Sequence, residues 1–98
     1  MRQQTLKAIF SVPDKRIWGS KAWSYLHSYI YKTKSQTLKD VNQLISSIPC
    51  GECKTNALQY MNTHPPNLES SRSFKIWVWE FHNVVNKRLG KKIVPYIE

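Results

Sequence analysis

The sequence predicts an all-α fold, a four-helix bundle followed by a short C-terminal turn. Three observations point there. Apolar residues recur at spacings of three and four in four separate stretches, the period of helices that bury one face. Short connections carrying proline, glycine or a capping residue join those stretches. No segment alternates apolar and polar residues convincingly, and the chain has no internal repeat. At 98 residues it makes one domain with a single core, near the size at which a bound ligand, a disulfide or dimerisation adds stability.

Residues 1–13 mix charged and small apolar side chains and end at Pro13-Asp14. They read as an N-terminal arm whose order depends on docking, with the folded domain at 14–98. Asp14 suits the N-cap of a first helix over about 15–32. Gly19, Trp23, Leu26, His27 and Ile30 share its stripe. Gly19, one turn before Trp23, leaves room for a flat ligand against the backbone. His27 lies one turn after Trp23; spacing alone makes it a hydrogen-bonded core histidine as readily as a ligand contact. Lys34-Ser35-Gln36-Thr37 reads as a turn and cap. Leu38, Val41, Leu44, Ile45 and Ile48 then define a second amphipathic helix that ends before Pro49.

A third helix starts at Pro49 or Cys50, since proline is tolerated in a first turn, and runs to about Asn62. Cys50 and Cys53 share its face with Ala57, Leu58 and Met61. Two successive prolines make Thr63-His64-Pro65-Pro66-Asn67 a loop. The fourth helix starts between Ser70 and Ser73 and ends near Leu89, with Gly90 as its C-cap. Its stripe is Phe74, Trp77, Val78, Phe81, Val85 and Leu89. His82, Asn83 and Asn86 form a polar cluster beside the stripe, where buried polar groups need a polar partner. Lys87, Arg88, Lys91 and Lys92 follow at the helix end, where cations favour the dipole. A solvated basic end explains them equally well. Tyr96 to Glu98 are expected to pack back as a partial turn.

The chemistry-bearing stretch is Ile48-Pro49-Cys50-Gly51-Glu52-Cys53-Lys54, which holds the only two cysteines. Two thiols three positions apart can close a small disulfide ring, and a helix N-terminus stabilises the attacking thiolate. Redox work is the first reading. A zinc site completed by His64 and His82 is weaker: structural zinc fingers want histidines about three to five residues apart. Two inert buried cysteines fit poorly with the Gly-Glu between them.

The net charge of +9 favours polyanions, whether nucleic acid, acidic membranes or the diphosphate of a nucleotide cofactor. A small basic helical module for nucleic acid is therefore the second functional reading. Four tryptophans suit a site that stacks on a flat ring, or simply a core of large side chains. No run approaches the roughly eighteen apolar residues that span a bilayer, and no secretory signal is expected. A disulfide-capable motif without one favours catalytic over structural cysteines.

Three separated stretches, taken together, resemble the Erv/ALR family of FAD-linked sulfhydryl oxidases. They are Trp18-Gly19-Ser20-Lys21-Ala22-Trp23-Ser24-Tyr25-Leu26-His27, then Pro49-Cys50-Gly51-Glu52-Cys53, then Trp77 with the run from His82 to Lys91. The resemblance covers about residues 14–92. It implies a four-helix bundle with a short fifth C-terminal helix, FAD at the bundle mouth and the C-x-x-C beside its isoalloxazine. By matching positions, Cys50 exchanges with the substrate thiol and Cys53 faces the flavin, which dioxygen reoxidises to give hydrogen peroxide. Gly19, Trp23 and His27 are expected to line the flavin pocket. Trp77, His82, Asn83 and Asn86 are expected to hold the adenosine half. Trp79 competes with Trp77 on helical spacing. Arg16, Lys87, Arg88 and Lys91 are candidates for the diphosphate. No metal is implied.

The chain departs from many cellular relatives in lacking a second, shuttle cysteine pair and further structural disulfides. Cys50 must then meet a protein thiol substrate directly, or meet a thioredoxin-like redox carrier. A single-C-x-x-C core resembles versions encoded by large cytoplasmic DNA viruses, which implies a host cytoplasm or virion setting. Family habit implies a homodimer.

Overall fold

The computed structural model describes residues 3–95, with side chains from Thr5 onward. Five helices follow one another: α1 (Gln3–Ile9), α2 (Lys15–His27), α3 (Lys34–Ser46), α4 (Gly51–Thr63) and α5 (Ser71–Arg88). There is no strand among the described residues. Helices α2 and α5 pack together, as do α3 and α4, and α1 lies on α2.

Each helix from α2 to α5 starts on a side chain that accepts a backbone N–H left unpaired in the first turn, as helix N-termini require. Asp14 accepts from Arg16 at 2.9 Å, Thr33 from Gln36 at 3.1 Å, and Ser70 from Ser73 at 3.0 Å. Helix α4 is capped by sulfur: the Cys53 N–H donates to Cys50 Sγ at 3.3 Å. The far end of α5 closes on Gly90, at φ +71°. The Gly90 N–H reaches Lys87 O at 3.2 Å and the Lys91 N–H reaches Asn86 O at 2.8 Å. That bond pair is a Schellman motif, which turns the following chain back on the helix.

Several boundaries differ from the sequence expectation. Helix α2 ends at His27 rather than near residue 32, because Tyr29 turns into the core and its hydroxyl bonds to Asp40. Ile30 is consequently 81% exposed instead of continuing the stripe. The stretch 34–37 is the first turn of α3, not a connection, and Thr37 is fully buried. Leu38, Leu58 and Leu89, expected on apolar stripes, are exposed. The stretch expected as an N-terminal arm contains α1, which buries Leu6 and Ile9 in the core. The expected C-terminal fifth helix is absent over 91–95, and the turn expected at 96–98 lies outside the described residues.

The core is continuous through all five helices, with Phe74 and Val78 of α5 among its most buried members. One carboxylate lies inside it. Asp40 accepts from Tyr29, from Gln36 Nε2 at 2.9 Å and from Lys32 Nζ at 3.3 Å. Burial pushes its pKa up, but the hydrogen-bond donors around it, these three among them, outweigh burial and hold it well below the usual carboxylate range.

Candidate active site

Helices α2 and α5, with the α3–α4 corner, enclose a cavity of about 740 Å³. That volume is typical of small-molecule and cofactor sites. Gly19, Trp23 and His27 line it from α2, Cys53 and Ala57 from α4, and His82 and Asn86 from α5. The α3 end adds Leu44, Ile45 and Ile48 as an apolar floor.

The dithiol straddles the cavity wall. Cys53 lines the cavity, whereas Cys50 is not among the lining residues, and both thiols are free. The Cys50 thiol is held below the ordinary cysteine value by hydrogen bonds from the Cys53 thiol and from the Cys53 backbone N–H, with help from Lys15. Burial pushes the Cys53 thiol up, as does the neighbouring Cys50, against the pull of Lys15 and Arg88. Two adjacent thiols of unequal acidity thus stand one outside and one inside the cavity, an arrangement suited to thiol–disulfide exchange.

Opposite the thiols stands an aromatic and imidazole group. His82 stacks on Trp23 with centroids 4.2 Å apart and planes 10° apart. His27 Nε2 and His82 Nδ1 share a hydrogen bond at 2.9 Å. Burial, then the proximity of His27 and Lys91, lowers the His82 pKa to about 4. Burial lowers that of His27 as well. The pair is therefore neutral at pH 7, one ring donating and the other accepting.

This has a stability consequence with a definite sign. Between pH about 6.5 and 4 the unfolded chain binds a proton at His82 that the folded chain refuses. The associated stability is complete above pH 6.5 and is lost as pH falls toward 4; the Asp40 contribution disappears only below that window. The melting temperature of the flavin-free protein should fall steadily across pH 6.5–4. His82→Asn should flatten that slope, and an unchanged slope would acquit His82.

Of the sequence-predicted residues, the structure brings Arg16, Gly19, Trp23, His27, Cys53, His82, Asn86, Arg88 and Lys91 onto one cavity. Arg16 also pairs with Asp14 at 3.1 Å on the surface. Trp77, Asn83 and Lys87 are not on the lining. Trp77 is buried in the core and donates its Nε1–H to His64 O at 2.9 Å. Asn83 bonds to the backbone of Val94, and Lys87 is exposed.

Sequence reasoning gave no site role to Lys15, Trp18, Phe81, Lys92 or Val94, all of which line the cavity. Trp18, the first residue of the Trp-Gly pair, carried a usable signal. Its ring meets Phe10 edge-on at 5.5 Å, so the segment after α1 backs one cavity wall.

Fold and site together define the class: a helical bundle with an exchange-capable dithiol set into the wall of a cofactor-sized cavity. A family model described as the Erv1 / Alr family matches residues 20–96, and the chain belongs to that family. It is 37% identical over 89 residues to the FAD-linked sulfhydryl oxidase of African swine fever virus (isolate Pig/Kenya/KEN-50/1950), covering 83% of this chain and 75% of that protein. It is 32% identical over 85 residues to the FAD-linked sulfhydryl oxidase ERV1 of Arabidopsis thaliana, covering 79% of this chain and 44% of the relative. The mitochondrial FAD-linked sulfhydryl oxidase ERV1 of Saccharomyces cerevisiae is 31% identical over 87 residues, with 81% and 46% covered.

Proposed function

We propose that this chain is an FAD-dependent thiol oxidase, converting two thiols and dioxygen to a disulfide and hydrogen peroxide. The observation that carries the reading is the placement of Cys53 on the cavity wall with Cys50 outside it. The FAD-linked relatives support it.

The cavity's residues fit the cofactor. Asn86 lines the cavity and its side chain makes no hydrogen bond among the described residues, yet none of its polar atoms is sealed away without a partner, so the amide is open to a polar ligand in the cavity. Trp23 and His82 supply flat faces, and Arg16, Arg88 and Lys91 supply cations suited to a diphosphate. Trp23, His27, His82 and Asn86 would hold the ring systems, with Gly19 admitting them close to the α2 backbone. When bound, FAD supplies an acceptor for the dithiol's electron pair and passes that pair to dioxygen.

The chain's own steps are thiol exchange. In the oxidised state a substrate thiolate attacks Cys50 Sγ, forming a mixed disulfide and releasing Cys53 as a thiolate. Lys15 and Arg88 favour that anion. A second substrate thiolate attacks the substrate sulfur of the mixed disulfide, so the substrate leaves as a disulfide and Cys50 as a thiolate. Two substrate thiols are oxidised and one cystine is reduced.

A protein thiol or a thioredoxin-like carrier is the substrate. The single cysteine pair supports direct contact at Cys50. The viral relatives support a setting in the host cytoplasm or virion, and no described helix is long and apolar enough to cross a membrane. Exposed apolar Ile17 and Val84 on α2 and α5 support a homodimer. An absorbance spectrum of the purified protein tests the reading: flavin bands are expected, and a folded, colourless preparation that takes up no added FAD would overturn it.

A further inference from the structure

After the Schellman turn at Gly90 the chain runs back beside α5 instead of leaving the bundle. Three hydrogen bonds fix it there. Asn83 Nδ2 donates to Val94 O at 2.8 Å, and the Val94 N–H donates to Asn83 Oδ1 at 2.8 Å. Trp79 Nε1 donates to the same Val94 carbonyl at 2.6 Å. Asn83 thus pairs with both polar groups of one backbone unit, a two-point grip that sets position and direction together. The gripped strap supplies Lys91, Lys92 and Val94 to the cavity lining.

Beyond the Lys91 N–H bond to Asn86 O, which belongs to the turn itself, no other hydrogen bond among the described residues holds the strap. Residues 91–95 form no helix and are exposed, and with both cysteines at the α4 start no disulfide can fasten them. We propose that Trp79 and Asn83 are positioning residues: a polar latch that holds 91–94 across the cavity and slows loss of the bound dinucleotide. Retention of FAD rests on the function proposed above; the latch itself does not.

Two conservative probes separate the parts. Trp79→Phe keeps a large ring and removes the indole bond to Val94 O, and Asn83→Ala removes both amide bonds to Val94. A net hydrogen bond shifts an opening equilibrium by roughly 2- to 10-fold. Trypsin should therefore cut the flavin-free protein after Lys91 or Lys92 roughly 2- to 10-fold faster in Trp79→Phe, and faster still in Asn83→Ala. Cuts within α3, at Lys39, should keep their wild-type rate, and helical circular dichroism should be unchanged. Release of FAD from the loaded variants, read as recovery of free-flavin fluorescence on dilution, should accelerate by similar factors.

Unchanged cutting at 91–92 in both variants would overturn the latch. Faster cutting with unchanged FAD release would overturn its retaining role. A wild-type chain that binds no FAD would instead overturn the proposed function, leaving the trypsin pattern to judge the latch by itself.

Discussion

Cys53→Ser is expected to keep its flavin while thiol-oxidation turnover falls by about three orders of magnitude or more. Serine is close to cysteine in size, so the cavity wall that Cys53 forms is nearly unchanged in shape. Its hydroxyl cannot form a cystine with Cys50, so an attacking substrate thiol finds no disulfide to open. The Cys53 N–H still caps onto Cys50 Sγ, so α4 should start at the same place. Oxygen consumption with dithiothreitol, beside a visible spectrum of the same sample, reads both halves at once. Turnover within tenfold of wild type would remove the dithiol from the reaction; loss of flavin would show that the thiol serves the cavity's structure.

Phe74→Ala should destabilise the fold by about 4 kcal/mol. Phe74 is 1% exposed, meets Tyr29 edge-on at 5.7 Å and lies beside Trp77 at 6.1 Å. The void would open next to the tyrosine that bonds to buried Asp40, where collapse is hindered by a carboxylate already held by several donors. For a domain whose total stability is on the order of 5–15 kcal/mol, that loss is large. Urea unfolding should show a sharply lower midpoint, whereas Ile30→Ala, at an 81% exposed site, should change stability by no more than about 0.5 kcal/mol. Equal small effects at both positions would mean that the Tyr29–Phe74–Trp77 packing does not hold the bundle.

Periodicity located four helices because a buried face must repeat with the helical turn, and Val41, Leu44 and Ile45 on α3 or Phe74, Val78 and Phe81 on α5 do so. It failed where a long-range partner outranked local spacing. Tyr29 leaves the α2 register to reach Asp40, 11 positions on, and α1 is only 7 residues long, too short to declare itself without the core that buries Leu6 and Ile9. Helical spacing puts Trp79 beside His82 and Asn83, whereas the family pattern selects Trp77. The structure gives one ring to the His64 carbonyl and the other to Val94.

The sequence by itself determined the helical class, the dithiol and its place at the start of α4, because caps, stripes and a C-x-x-C are local properties. The tertiary structure decided which side chains share a cavity. His27 and His82 stand 55 positions apart and yet bond at 2.9 Å, Cys53 faces inward while Cys50 does not, and Asn83 spends its amide on Val94. Those pairings depend on how α2, α4 and α5 pack and on where Gly90 sends the chain, and packing direction is set by the whole core at once rather than by any one stretch of residues.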